Sequence, residues 1–393
     1  MAKTSNRVIC RNEVFIEGVS VGEFESFSLQ SRRETLGTTA VMTLPLYGIS
    51  IRPFSGGSSQ STVSSGDAWR RVRSKIDFAK ITTCARVEVY CWYDGYDRIK
   101  VFDGFIEHID EGFPTKFYLR DATFMLRFGS IDEPFNEKAT LSDIANKCVD
   151  IAYDAFLDAR ISYGLIRNDP PKLVYNTTDK QTVQAVTTPL SFENFASGRS
   201  PFEVIQYLQQ QLVMYAGTYL SDKGTYNLYI GAGVKDSTRG VIELDTRYNV
   251  IARDIVKQDS RFVDYDVKVT GILENGKRFT ATAGVKTSQT SSQKSAFDKA
   301  YGQPVRTFTP IFKTQKEIQA FADKLLNSLK GVKNKGTITL LLYPKCEILD
   351  TVRYNDTIFY LNDAQYYVTD YSFTANEKGY FQKLSVTDKV FMI

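Results

Sequence analysis

The apolar positions of the first 129 residues fall in short β-rich runs broken by glycine and proline. Phe24-Glu25-Ser26-Phe27-Ser28-Leu29 alternates apolar with polar, the period of a half-buried strand, and Val14-Phe15-Ile16 and Ala40-Val41-Met42-Thr43-Leu44 flank it. Ala85 to Trp92 and Ile99 to Ile106 predict two more strands, turned through Asp94-Gly95, a strong hairpin signal. Phe117 to Asp121 predicts a further strand. Ser55 to Gly66, almost all Ser and Gly, predicts an exposed loop.

The period changes near Ser130. Thr140-Leu141-Ser142-Asp143 predicts a capping box, opening an apolar stripe of Leu141, Ile144, Ala145, Cys148, Ile151, Ala152 and Ala155. Ser200-Pro201-Phe202-Glu203 predicts a second helix, with Ser as cap, Pro at the first helical position and Glu closing the box. Strands resume after Gly217 and turn through Ser221 to Gly224. A second β unit is expected from about Val241, with a hairpin at Asn275-Gly276 and a last one at Asn376 to Gly379. Thr314 to Glu317 caps a helix over 314–330 inserted in that unit, with Ile318, Phe321, Ala322, Leu325 and Leu329 as its stripe.

The expected class is therefore α+β and mainly β, with two barrel-like antiparallel β domains around a helix-containing middle region. The expected divisions are 1–129, a first barrel-like domain carrying the loop 55–66; 130–240, a helical α+β middle; and 241–393, a second barrel-like domain with the inserted helix 314–330. The two β units are similar in size and style, which suggests duplication, although the sequence contains no exact repeat.

Composition narrows the chemistry. The chain of 393 residues is 42% hydrophobic and 24% charged, a globular balance, and its net charge of +4 brings no concentrated basic face. There are 26 Phe, 23 Tyr and 2 Trp against one histidine, His108, which disfavours histidine-dependent catalysis and suits strands and interfaces. Five cysteines without a C-x-x-C spacing signal neither a disulfide framework nor a zinc site. No secretory signal or run of about 18 apolar residues is present, so neither export by that route nor stable membrane insertion is expected.

No active site emerges. His108 lies among Glu107, Asp110 and Glu111, but neighbours on a strand point to opposite faces and do not converge on a metal. Asp132 and Glu133 are adjacent, which is not the separated pair that glycoside hydrolysis needs. Gly231-Ala232-Gly233 lacks the third glycine of a dinucleotide fingerprint, whose place is taken by Asp236. No cofactor is expected. The densest basic run, Arg70, Arg71 and Arg73, next to Trp69 and just beyond the Ser/Gly loop, is the candidate contact for a partner subunit or for DNA phosphates.

The order of these elements resembles the phage tail baseplate hub family, which includes late control D proteins and the N-terminal hub part of type VI secretion spike proteins. Four pieces carry the resemblance: Val87-Glu88-Val89-Tyr90 with Val101-Phe102-Asp103-Gly104-Phe105-Ile106 and a strand ending in Asp121; the helix entered at Ser200; the strand Tyr265 to Gly271; and the Thr314 helix followed by Tyr354-Asn355-Asp356-Thr357-Ile358, where Asn355 replaces the usual glycine. The resemblance spans about Glu13 to Lys389. It implies a non-enzymatic structural protein of the virion tail, made in the bacterial host cytoplasm. It further implies a homotrimeric ring that joins the tail tube or distal tail protein to a spike or fibre protein. Such a ring surrounds the channel for the tape measure protein and for transient DNA passage. A spike is expected on another polypeptide. A tail-tip adhesin or carbohydrate-binding module is the alternative expectation, and a cell-wall hydrolase a more remote one.

Overall fold

A computed structural model describes residues 9–44, 81–110, 112, 114–133, 135, 139–165, 169–175, 196–212, 215–221, 223–231, 241–259, 266–272, 277–284, 306–308, 314–329, 332–356 and 361–388. The chain is mainly β with a minority of helix, an α+β fold dominated by one large, mostly antiparallel sheet. The Ser/Gly loop 55–66 and the run at Arg70 lie outside the described residues.

The first seven strands are β1 (Cys10–Ile16), β2 (Val19–Gly22), β3 (Ser26–Arg32), β4 (Thr38–Leu44), β5 (Arg86–Tyr93), β6 (Ile99–Asp110) and β7 (Thr115–Arg120). They pair in the order β3-β4-β7-β6-β5-β1-β2. Asp94-Gly95 turns β5 into β6, as its residue types predict. Alternation puts Phe27, Leu29, Met42, Val87, Val89, Phe117 and Leu119 on one buried face. Laid flat, seven strands would separate the outermost two by roughly 29 Å. Yet β2 and β3, at opposite ends of the order, are joined by residues 23–25 alone, a link that spans at most about 14 Å. The sheet must therefore roll over on itself. Asp121, the acidic end of the sequence motif, pins the roll: its carboxylate accepts from the Thr38 N–H at 2.9 Å and the Thr123 N–H at 3.1 Å.

The middle of the chain packs helices on a small sheet. Helix α1 (Leu141–Ser162) opens with the expected reciprocal box, Thr140 Oγ1 accepting from the Asp143 N–H and Asp143 accepting from the Thr140 N–H. Its buried stripe runs further than the periodicity predicts, to Phe156 and Arg160. Strand β8 (Leu173–Tyr175), helix α2 (Pro201–Leu212), β9 (Tyr215–Leu220) and β10 (Tyr226–Gly231) follow. Ser200 and Glu203 form the second box. The sheet order is β8-β10-β9, and β10 is buried on both faces.

Beyond it come β11 (Ile242–Asp245) and β12 (Val250–Asp259), then β13 (Asp266–Ile272), β14 (Arg278–Gly284), β15 (Arg306–Phe308) and helix α3 (Gln315–Leu329). Strands β13 to β15 form a separate sheet, on which α3 packs through Ile318, Phe321 and Ala322 against Val269, Ala281 and Ala283. β13 and β14 thus pair antiparallel where the hairpin is expected, in a sheet apart from the large one, while Asn275 and Gly276 lie outside the described residues. That sheet resumes with β16 (Val332–Leu340), β17 (Thr351–Asp356), β18 (Leu361–Asn376) and β19 (Gly379–Thr387).

The second set pairs as β12-β16-β19-β18-β17-β11. Its outermost strands, β11 and β12, are again joined by a short turn, residues 246–249, so this sheet rolls by the same device. Among the described residues no ladder links the end strands of either order, and both units are rolled open sheets. They merge into one sheet of 13 strands through β18. On one edge β18 pairs first with β17, up to Tyr367, and then with β3, from Asp370 to Ala375.

The two units match rung by rung. In the first, Ala40, Met42 and Leu44 face Leu119, Phe117 and Thr115; in the second, Gly336, Ile338 and Leu340 face Val386, Leu384 and Gln382. A bulge after Ile106 places His108 opposite Tyr118, and a bulge after Val368 places Asp370 opposite Ser385. Cys84 and Leu349 both adopt left-handed backbone, φ 69 and φ 67. The Cys84 N–H donates to the Ile106 carbonyl and the Leu349 N–H to that of Val368. β11 runs parallel to β17, as β2 does to β5 once the intervening β1 is discounted. The fold is an internal duplication with one strand added in the first unit and an α/β segment inserted in the second.

Candidate assembly surfaces

Two ionic anchors, one buried and one partly buried, hold the middle region to the first rolled unit. Arg160, in the last turn of α1, reaches the β1–β2 turn, where Nη1 and Nη2 donate to Glu17 Oε1 and Oε2 at 3.0 and 2.9 Å, and Nη1 also donates to the Cys84 carbonyl at 2.7 Å. The side chains are 2% and 8% exposed. Glu17 Oε1 also accepts from the Arg86 N–H at 2.6 Å, so one carboxylate serves a helix, a turn and a strand. Burial pushes the neighbouring Cys84 thiol up to about 12, against the opposing charge of Arg160.

In the second anchor Arg86 forks onto Asp103 at 3.0 and 2.8 Å, Lys100 donates to Asp103 at 2.9 Å, and Tyr226 of β10 donates to the same carboxylate. Glu88 accepts from Arg86 at 3.2 Å and from Lys100. Burial works to raise the Asp103 pKa, but the Arg86, Tyr226 and Lys100 contacts outweigh it and hold the carboxyl below the usual range. Burial first, and Asp103 second, lift the Tyr226 phenol well above its ordinary value. A depressed carboxyl stabilises the fold above its unfolded pKa, about 3.9, and loses that contribution as pH falls through the folded value. Asp103→Asn is therefore expected to flatten the acid limb of stability in urea titrations between about pH 5 and 2. An acid limb unchanged from wild type would refute this.

Where the two rolled units meet, aromatic rings reinforce the β3–β18 ladder. Phe27 packs on Phe373, Phe373 on Tyr380, and Tyr93 stacks on Tyr380 at 5.6 Å. Tyr343, from the 341–350 loop of the second unit, stacks on the exposed Tyr96 of the β5–β6 turn at 5.4 Å and donates to the Asp97 carbonyl. Gln382, fully buried beneath that loop, accepts from the Cys346 N–H at 3.0 Å. Its Nε2 lies 2.7–2.8 Å from the carbonyls of Leu341, Leu342 and Pro344.

The outer faces carry the remaining features. Arg98 lies over Tyr90 at 3.9 Å, Phe15 at 5.0 Å and Trp92 at 5.6 Å, with Glu13 at 3.1 Å. On the second unit Tyr248, Ile251 and Val256 are 75%, 51% and 57% exposed, on or beside β12, the outermost strand of its order.

The residues weighed for catalysis do not converge. Glu107 is taken by Arg120 and Arg127 at 3.1 and 2.6 Å, while His108 is exposed with its ring over Tyr118. Asp132 accepts from Ser130, and Glu133 pairs separately with Lys147. Gly231 ends β10, while Ala232, Gly233, Arg70, Arg71 and Arg73 fall outside the described residues. Among the described residues no three His, Cys, Asp or Glu side chains are grouped to hold a metal, and no helix is long and apolar enough to cross a membrane. The sequence reading missed Arg160, Glu17 and Gln382: a basic residue near a helix end and a glutamine on a strand carry no signal of burial.

No protein-family profile matches the chain, and no curated protein matches its sequence. Solved structures do match. A tail protein of Neisseria meningitidis MC58 aligns over 96% of this chain and 96% of its own, at 12% identity and a TM-score of 0.53. The 43 kDa tail protein of prophage MuSo2 from Shewanella oneidensis aligns over 95% of each chain, at 15% identity and a TM-score of 0.50. From one end of its duplicated sheet to the other, the chain has the fold of these two tail proteins.

Proposed function

We propose that this chain is the structural hub of a phage tail or a related injection machine. In this reading it is a homotrimer whose two rolled units per subunit alternate around a pseudo-sixfold ring. The ring joins the tail tube or distal tail protein to a central spike or fibre and surrounds the passage for the tape measure protein and DNA. The protein acts without catalysis, in the virion tail, after synthesis in the host cytoplasm. The divisions 1–129, 130–240 and 241–393 belong to the same proposal, as does a partner or DNA contact at Arg70, Arg71 and Arg73.

The observation that carries it is the duplication in matched register. Two like units on one chain let three copies present six similar faces, so a closed ring leaves few sheet edges uncovered. The likeness to two tail proteins over nearly the whole chain supports a tail component. Light scattering and negative-stain imaging test it: the expected result is a particle of three chain masses, ring-shaped with a central hole. Stable monomers would overturn the ring, and binding of such monomers to surface carbohydrate would point to an adhesin instead.

A further inference from the structure

The duplicated sheet leaves one junction made and its counterpart unmade. Within the chain, the outer half of β18 pairs with β3: Asp370 faces Arg32, Tyr371 faces Ser31, and Ser372 faces Gln30. The counterpart of β18 is β6, because His108 and Asp370 follow matching bulges against matching partner strands. The counterpart of β3 is β12, because Leu29 faces Ala40 where Ile255 faces Gly336. Among the described residues, the β12 edge away from β16 carries no ladder, and neither does the edge of β6 beyond Ile106. A row of unpaired N–H and C=O groups invites strand addition unless charge, proline or a covering element blocks it. Exposed Ile251 and Val256 make β12 partly apolar, no proline interrupts it, and Arg253, Asp254, Lys257 and Asp259 are its charged residues.

We infer that copies of this chain join by strand addition, the β12 edge of one docking antiparallel beside residues 107–110 of β6 in the next. Transferring the internal junction sets the register: His108 opposite Gln258, Ile109 opposite Lys257, and Asp110 opposite Val256. The contact is heterologous, head to tail, and closes into a ring when its rotation divides a full turn without a rise along the axis. It rests on the ring reading above and names the surface that closes it. It also accounts for the length of β6, which pairs with β7 as far as Asp110 although β5 leaves it at Phe105.

Backbone direction selects the test. The Arg33 N–H donates to Thr369 across the internal junction, so alternate residues of β3 point their N–H toward β18. By the same register Ser31, two residues before Arg33, corresponds to Lys257; its β16 neighbour Asn334 bonds away from it, to Asp388, so the Lys257 N–H faces the open edge and not β16. Lys257→Pro removes that donor while leaving the β16 ladder intact. The expected result is a folded chain with a wild-type unfolding midpoint and a subunit dissociation constant raised about a hundredfold, with Lys257→Thr assembling normally. Asp110 and Val256 would form a close, non-hydrogen-bonded pair, Cα atoms about 4.5 Å apart, which a disulfide spans. A double variant, Asp110→Cys with Val256→Cys, should cross-link under mild oxidation to closed three-chain species, and neither single variant should. Rings that form in wild type and Lys257→Pro alike, without cross-linking in the double variant, would overturn the junction and spare the ring. Cross-linked pairs that never exceed two chains would also overturn it. A wild type that stays monomeric overturns both.

Discussion

Replacing Gln382 with methionine is expected to cost about 3–5 kcal/mol, because two buried and two partly buried backbone groups lose their partner at once. The Gln382 amide caps the Cys346 N–H and the carbonyls of Leu341, Leu342 and Pro344, and two hydrogens on Nε2 serve three acceptors through shared bonds. Each buried group left unpaired costs roughly 1–3 kcal/mol, and local relaxation recovers part of the sum. Methionine keeps the volume, so the loss isolates hydrogen bonding from cavity formation. The loop it holds carries Tyr343 onto Tyr96, so the variant should also loosen the contact between the two rolled units. Urea unfolding measures the first effect and limited proteolysis within 341–350 the second. A midpoint equal to that of wild type would show that the loop stands without the amide.

Arg160→Met is expected to be of similar size, about 3–5 kcal/mol, because it strands the Glu17 carboxylate in a buried site. The diagnostic is the double variant with Glu17→Gln. Removing both charges should recover much of the loss, since a neutral amide still accepts from the Arg86 N–H without the penalty of an unpaired ion. A double-mutant cycle in urea gives the coupling directly. Additive losses, with no recovery in the double variant, would mean that the anchor is not a coupled pair.

Local signals in the sequence foretold much of the local structure. Thr140 with Asp143 and Ser200 with Glu203 form the expected boxes, and Asp94-Gly95 and Asn376 to Gly379 turn the expected hairpins. These succeed because the chemistry that stops a helix or turns a strand lies within a few residues. The duplication stayed hidden for the opposite reason. Phe117 and Leu384, or Leu119 and Val386, occupy the same rung of the two units, and a buried rung asks only for an apolar side chain of suitable size. Strand β10, covered on both faces, has no alternation to detect. The link from Arg160 to Glu17 crosses 143 positions and leaves no local trace.

Holding both units on one chain has an evolutionary consequence. Identical single-unit chains would carry any insertion in every copy alike. Here the segment between β12 and β16 grew into a sheet and helix while the corresponding β3–β4 link stayed a tight turn, and the first unit alone gained β1. Fusion let the halves diverge separately, so one repeated scaffold can meet two different neighbours.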